Sequence, residues 1–551
     1  MTSLRLILTP HLDCDPEQHS ISVRMILTLP DKVKDDILFH HVLARGPIKT
    51  VQYTASDVTI RDTNGSLPLY AADSKDGRRR MFHAGRDVAP GEVSVEYTAT
   101  PWDATESSPC GPQIALERDG GGLTSAGMAF ILRPATNDVL DTTIEWDLSS
   151  APQDTRAACS LGEGVTVTAQ VKATVLDECF FAVGPLQSYP SGETKGPFGT
   201  YWLSSPPFDA KALSAKMHAL YPKMAQFFGD PDPTYRIFIR RNIQKCVSGR
   251  GLHRGFVFAW TTVAPRDEDG IDEFLMHETI HNWPRLGHSA GGPTLEEMAD
   301  GWWNEGIAEY YSLFLPFRFG VFTEQDFVRR LNIHISGYYT NPDRQVKNKD
   351  IQSRFWAGGH VNRIPYQRGM MYFLLLAYQL KKSGGRSLDE LILEMIHLRR
   401  QEQPHGIAIW NAILEKELGP DVVRGYQDMS EAIPIVLPTD FLRVAEGLDW
   451  NLQRQDQEEF CLGFSEDSLS RSGGTVKDLD TSSRAAKAGV QEGDVTTRQH
   501  SFFFDADRWG QDFTMVVRRI TPDGGEELKT LSWWPRGINK VESYQLIQNH
   551  A

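Results

Sequence analysis

The sequence predicts a multidomain α+β protein, and two changes of texture along its 551 residues predict it. The first third is written in short alternations of β-branched and polar residues. The middle turns to long segments of helical period, and the last part returns to alternating text broken by glycine. A chain of this length divides into several domains at roughly 100–200 residues each. Hydrophobic residues make up 40% and charged residues 23%, the mix of a globular protein with ample core.

Residues 1–180 contain SLRLILT, SISVRMILTLP, VEYTATPW and GVTVTAQVKATVL, separated by turn clusters such as RDTNGSLP and ERDGGG. Short strands with regular turn signals predict an antiparallel N-terminal β-sandwich. No catalytic cluster falls within it. The stretch 181–209 is loaded with Pro, Gly and Ser, which places a boundary there. Residues 181–450 form the second domain. In it PTYRIFIRRN (233–242) and HRGFVFAWTTV (253–263) read as strands, and 270–283 and 293–315 as helices. Further helices over 365–382, 387–399 and 406–418 make a helical subdomain of about 320–450, with stops at Gly384-Gly385 and Gly419-Pro420. The polar run NLQRQDQEE marks a second shift, after which residues 455–551 form a third domain with strands near 514–519 and 527–534.

A net charge of −15 argues against nucleic acid as a partner, because phosphate contacts need a basic surface. No uncharged apolar run reaches the ~18 residues that span a bilayer, so no membrane partner is expected. The opening MTSLRLILTPHLDCDPEQ lacks the features of a signal peptide, and a cytoplasmic location is expected. The cysteines, Cys14, Cys110, Cys159, Cys179, Cys246 and Cys461, show no CxxC spacing and are expected to be free thiols. The sequence is silent on oligomeric state.

The chemistry concentrates in His277-Glu278-Thr279-Ile280-His281. Residues four apart on a helix lie about 400° around its axis, so both imidazoles leave one face, about one turn apart. Two histidine nitrogens at that spacing can share a tetrahedral zinc ion. Glu278 lies about 100° round from His277, where a carboxylate flanks the metal and can take a proton from water. Phe274, Leu275 and Ile280 give this helix an apolar side to bury. A catalytic site needs a third protein ligand, and Glu305 stands 24 positions beyond His281 on the next helix, among Trp302, Trp303, Ile307 and Tyr310. A carboxylate buried in such company without a partner would be costly, and a metal removes the cost. One zinc ion per chain is the expected cofactor. Glu309 and Asp300 are candidates to brace the ligating histidines from behind. His288, in the intervening loop, reads as incidental.

HETIHNW followed by WWNEGIAEYY resembles the gluzincin metallopeptidases, and within them the glycyl aminopeptidase family. The resemblance implies a β-rich N-terminal domain, a thermolysin-like catalytic domain with its helical extension, and a C-terminal PDZ-like domain. Its specific motifs lie between residues 249 and 370. It implies that His277, His281 and Glu305 hold zinc and that Glu278 is the general base and acid. Tyr366, in Pro365-Tyr366-Gln367-Arg368-Gly369, falls where related aminopeptidases place a tyrosine that steadies the oxyanion. One departure stands out. The family reads the substrate's free amine with a glutamate in a Gly-Gly-Leu-Glu-His-like edge strand, and here the text is Gly249-Arg250-Gly251-Leu252-His253-Arg254. The candidate substrate-binding residues Arg250, Gly251, Leu252 and His253 therefore lack the acid, and the stretch reads as basic, which would favour an anion over an ammonium.

Toward the end, Cys461-Leu462-Gly463-Phe464, a short helix over Ala485-Ala486, and Gly489-Val490…Gly493-Asp494-Val495 resemble a PDZ domain, which implies capture of a C-terminal peptide as an added edge strand. Three functions are thus expected in order. The first is a zinc metallopeptidase acting on peptide or small amide substrates, with aminopeptidase specificity in doubt. The second is a zinc hydrolase of a non-peptide amide, ester or biosynthetic intermediate. The third is a PDZ-type binding protein with a vestigial site.

Overall fold

The computed structural model describes residues 2–31, 37–106, 108–192, 196–244, 248–261, 268–287, 299–355, 360–469, 473–497, 512–521 and 523–548. His288, Cys246 and the first residues of the helix expected over 293–315 lie outside them. The chain forms two compact units, one of residues 1–221 and 231–268, the other of residues 222–230 and 269–551.

The first unit is β-rich, as the alternating text requires. Its seven-stranded sheet runs Thr166–Lys172, Val139–Trp146, Ser3–His11, Ser20–Leu29, Gly91–Ala99, Thr59–Asp62, Gly65–Ser66. Along Ser3–His11 every second residue is buried, with Leu4, Leu6 and Leu8 facing inward. Leu6, Met25, Val95 and Ile144 share one core with Phe39 and Phe82 of a separate four-stranded sheet. One pairing departs from the antiparallel expectation: Ser3–His11 and Val139–Trp146 run parallel. Parallel neighbours need a long crossover, and here almost the whole β domain lies between them in sequence.

The Pro/Gly-rich stretch 181–209 is not a plain linker. It completes Phe180–Gly184, the buried centre of a five-stranded sheet, and supplies Gln187–Tyr189 and Phe198–Trp202 to the next. The turn residues punctuate short strands: Gly184 and Gly192 hold φ of +144° and +86°. In the next sheet Phe198–Trp202, Tyr235–Arg241 and Gly255–Trp260 run parallel, and Ser248–Leu252 is an antiparallel edge. The central strands are buried on both faces, and Gly255–Trp260 reads as an unbroken apolar run, while Tyr235–Arg241 carries the buried Arg236 and Arg240.

The second unit is mainly helical. The histidine helix spans Glu268–Ile280, the glutamate helix Gly301–Arg318, a third helix Glu324–Thr340 and the tyrosine helix Ile364–Ser383. Helices Leu388–Arg400 and Ile407–Leu418 follow. Gly384 closes the tyrosine helix in the left-handed region, and Ser387 with Glu390 forms a capping box on the next. The glutamate and tyrosine helices cross through two glycines: a Cβ on Gly306 would meet Cα and C of Gly369 at 2.4 Å, and one on Gly369 would meet the Trp302 carbonyl oxygen at 2.1 Å. Only glycine at both positions lets these backbones touch. No helix among the described residues is long and apolar enough to cross a membrane.

The polar run near 451–459 also forms strands. Trp450–Arg454 pairs with Tyr544–Gln548 in a two-stranded ribbon, and Gln457–Phe460 pairs with Arg536–Val541 beyond it. Leu452 and Gln457 are buried side chains within the run. The ribbon is fastened to the third helix, where Asn332 donates to the Leu546 carbonyl at 3.1 Å and accepts from its amide at 2.7 Å. Between the ribbon strands lies a β module whose core is Phe460, Leu462, Val476, Val490, Met515, Val517 and Trp533. Its strands include Phe513–Ile520 and Glu526–Trp533, and a short helix covers Arg484–Lys487. Glu459 and Glu466 of the module reach Arg344 and His360, each at 2.5 Å.

Cys14, Cys159, Cys179 and Cys461 are free, but Cys110 is disulfide-bonded, contrary to the free thiol expected of it. A pairing made only by the fold leaves no trace in cysteine spacing.

Candidate metal centre

The histidine helix turns His277 and His281 to one side, and the glutamate helix brings Glu305 to meet them. Nε2 of His277 lies 3.1 Å from Nε2 of His281, and Oε2 of Glu305 lies 3.2 Å from each. The three atoms form a nearly equilateral triangle. Ligands about 2.1 Å from a tetrahedral zinc ion stand about 3.4 Å apart, close to the 3.1–3.2 Å sides here, so the donor set and its spacing both fit zinc. Two imidazole nitrogens facing each other and a carboxylate also need a shared cation more than they need one another.

The helix ends are pinned around this triangle. The Leu286 amide donates to Asn304, the neighbour of Glu305, at 2.9 Å. Trp283 donates its indole N–H to Asp230 at 2.8 Å, and Arg399 donates to the Trp283 carbonyl at 2.7 Å. The glycine crossing fixes the tyrosine helix one residue beyond Glu305, and one turn before Gly369 stands Tyr366. Its ring stacks on His277, with centroids 5.5 Å apart and planes inclined by 29°. The Arg363 guanidinium also lies over the Tyr366 ring, 5.3 Å from its centroid.

The charges are strongly coupled. Burial works against a charged His277, but Glu309, Glu305 and Glu278 outweigh it and hold the imidazole at about 9. Burial also opposes charge on Glu305, yet His281 and His277 keep its carboxyl far below the usual range. Glu278 is raised by burial, which the two histidines only partly offset. Tyr366 is pushed well above its ordinary value by burial and by Glu305 and Glu278, so its phenol stays a donor.

Behind the triangle, Glu309 is 5% exposed and places Oε1 at 3.7 Å from Nδ1 of His277. Asp300, the other carboxylate expected there, accepts from Tyr426 at 3.0 Å at the start of the glutamate helix. Three residues that sequence reading passed over complete the surroundings. His334 on the third helix stands 3.6 Å from Glu309 and 2.7 Å from Glu273, and Arg330 stands 2.9 Å from Glu273. Glu273, Glu309 and His334 form a second cluster with their ligand-type atoms within 4.8 Å of one another. Glu273 precedes His277 by four residues and Glu309 follows Glu305 by four, so the helical period that reveals the ligands could also have pointed to these two.

The candidate substrate residues belong to the first unit. Gly251 pairs with Phe256 and Leu252 with Gly255 on the edge strand Ser248–Leu252. Here the structure corrects the basic reading. Arg250 is held by Glu178 at 2.8 Å with its side chain 8% exposed, and burial and Arg254 lower His253, so neither offers a free positive charge at neutral pH. Glu178 is distant in sequence and gave no sign of the pairing.

Residues 272–364 match the family model of the M61 glycyl aminopeptidases. No curated protein matches the chain. Among solved structures, an aminopeptidase N family protein from Idiomarina loihiensis is similar over 99% of this chain and 98% of its own, at 14% identity and a TM-score of 0.64, which makes the fold alike. A mutant M1 zinc metallopeptidase of Deinococcus radiodurans, bound to a Tyr-Ser-Ala substrate, is similar over 79% of this chain and 94% of its own, at 16% identity and a TM-score of 0.44.

Proposed function

We propose that the chain is a zinc metallopeptidase of the glycyl aminopeptidase family, whose model matches residues 272–364, and that it cleaves peptide bonds with His277, His281 and Glu305 as the ligands of one zinc ion. The observation that carries this is the triangle of Nε2, Nε2 and Oε2 with sides of 3.1–3.2 Å. Bound there, zinc supplies a Lewis acid that polarises the scissile carbonyl and acidifies the attacking water. Glu278 takes the water's proton and passes it to the leaving amine. A carboxyl raised by burial is suited to holding that proton between the two transfers. Tyr366 donates a hydrogen bond to the oxyanion of the tetrahedral intermediate, which its neutral phenol can do across the working pH range.

The edge strand Ser248–Leu252 of the first unit corresponds to the segment with which the family resemblance reads a substrate's amine. With Arg250 tied to Glu178, it presents neither the acid that anchors a free amine nor a net base. We therefore place the enzyme among peptidases that do not require a free N-terminus. The module after residue 455 serves as a PDZ-like domain in this reading, with Gly463 at φ +96° opening the backbone loop at Cys461–Phe464.

The test is mass-spectrometric turnover of a peptide pool, half with free and half with acetylated N-termini, beside a Glu278→Gln control that keeps its zinc. Cleavage of blocked peptides is expected. Release of single residues from free N-termini only would mean another amine anchor. A zinc-loaded protein that leaves every peptide intact while hydrolysing small amides or esters would move the case to a non-peptide hydrolase.

A further inference from the structure

We propose that His334 is a positioning residue for the metal centre, holding Glu309 in line behind His277; the inference rests on the zinc reading above. Side chains from three helices stand in file. Nδ1 of His277 faces Oε1 of Glu309 at 3.7 Å, and Oε2 of Glu309 faces Nδ1 of His334 at 3.6 Å. Nε2 of His334 is bonded to Oε1 of Glu273 at 2.7 Å, and Oε2 of Glu273 accepts from Arg330 at 2.9 Å. Arg330 is held in turn by Asp272 at 3.3 Å and Asp326 at 3.1 Å, so the far end of the file is fixed.

A carboxylate behind a ligating imidazole sets which nitrogen carries the proton and how the ring is aimed. It can do so only if its own rotation is restrained, which a charged partner on its second oxygen provides. Glu309 is 5% exposed and lies among protein groups. Arg363 stands on the Oε1 side at 3.9 Å, and Nδ1 of His334 faces Oε2 at 3.6 Å, an ion-pair distance. The imidazole has a different carboxylate at each nitrogen, one leading to His277 and one leading away from it. The two sides can therefore be cut separately. His334→Asn keeps an amide donor near the Nδ1 position and gives up Glu273. His334→Gln keeps one near the Nε2 position and gives up Glu309.

The experiment measures the zinc dissociation constant of the full chain by chelator competition at fixed pH, with the absorption spectrum of the cobalt-loaded protein as a second readout. His334→Asn is expected to bind zinc within about twofold of the wild type with an unchanged cobalt spectrum. His334→Gln is expected to lose about tenfold or more, toward the loss of about 10–100-fold expected for Glu309→Gln. Added to Glu309→Gln, it should cost nothing further. Equal losses in the two His334 variants would overturn the inference, as would wild-type affinity in His334→Gln or a loss that persists without Glu309. Should His334→Gln fail to fold, His334→Ala serves instead. It removes the partner of Glu309 Oε2 and is expected to weaken zinc binding about tenfold or more, and unchanged affinity would count against the proposal. A wild type that binds no zinc, or that keeps zinc in Glu305→Gln, would overturn the zinc reading and this inference with it. Stoichiometric zinc lost in Glu305→Gln, beside equal His334 variants, would overturn this inference alone.

Discussion

A methyl group on Gly306 would stand 2.4 Å from both Cα and C of Gly369 and 2.8 Å from the Met370 nitrogen. Carbon atoms in contact need about 3.5–4.0 Å, so the glutamate and tyrosine helices would have to part by about 1 Å. The obstructing atoms are backbone and cannot swing aside. Overpacking a closed contact costs about 1–3 kcal/mol, against which alanine returns up to about 1 kcal/mol of helix propensity. A net loss of about 1–2 kcal/mol should lower the melting temperature by several degrees. The catalytic effect should be larger. Glu305 adjoins the crossing and Tyr366 lies one turn before Gly369, so parting the helices moves the proposed ligand and the proposed oxyanion donor away from each other. A displacement of about 1 Å can cost about 10²-fold in rate. The assay is kcat/KM on a cleaved peptide from the pool, beside zinc affinity and thermal unfolding of the zinc-loaded protein. Gly301→Ala is the control: it lies on the same helix with nothing within 4 Å of its added methyl group. It should leave activity unchanged and stability equal or slightly raised. Wild-type kcat/KM in Gly306→Ala would refute the idea that this crossing sets the spacing of the site.

Tyr366→Phe removes the phenol donor and keeps the ring stacked on His277, so kcat should fall by about 10²–10³-fold with zinc content unchanged; an unaltered kcat would remove Tyr366 from the mechanism. In the metal-free protein the folded pKa of His277, about 9, lies above its unfolded value near 6.5. Stability from charged His277 is therefore fully present below about pH 6.5 and lost as pH rises toward about 9, while zinc, which needs the neutral ring, binds more tightly over the same window. Calorimetry in buffers of different ionisation enthalpy should find about one proton released per zinc at pH 7, and pH-independent zinc affinity between 6.5 and 9 would contradict the charge arrangement around His277.

The candidate site was legible because each of its parts follows the helical period or a fixed motif: His277 and His281 four apart, Glu278 between them, and Glu305-Gly306 in an aromatic helix. The alternation of Leu4, Leu6 and Leu8 likewise announced the first sheet. What stayed hidden depends on meetings distant in sequence. His334 is one histidine on an amphipathic helix, and nothing local distinguishes it from a core histidine until Glu309 and Glu273 close around it. Gly306 and Gly369 read as two weak points in good helices, because a missing Cβ shows its purpose only when another backbone occupies the space. Arg250 looked available for an anion until Glu178 claimed it. The Pro/Gly stretch before residue 209 misled for a different reason, since turn residues between three-residue and five-residue strands crowd as densely as those of a linker.

The ribbon of Trp450–Arg454 and Tyr544–Gln548 has a genealogical side. Arg454 and Tyr544 are direct partners, so the segment between them enters and leaves the fold at one point, with its ends about 5 Å apart. Such a segment is a cassette. It can be gained, lost or exchanged in one event while the ribbon, sealed by a two-residue turn, keeps its grip on the third helix through Asn332. A chain built this way can change a whole C-terminal module and still keep the helices that carry His277, His281 and Glu305.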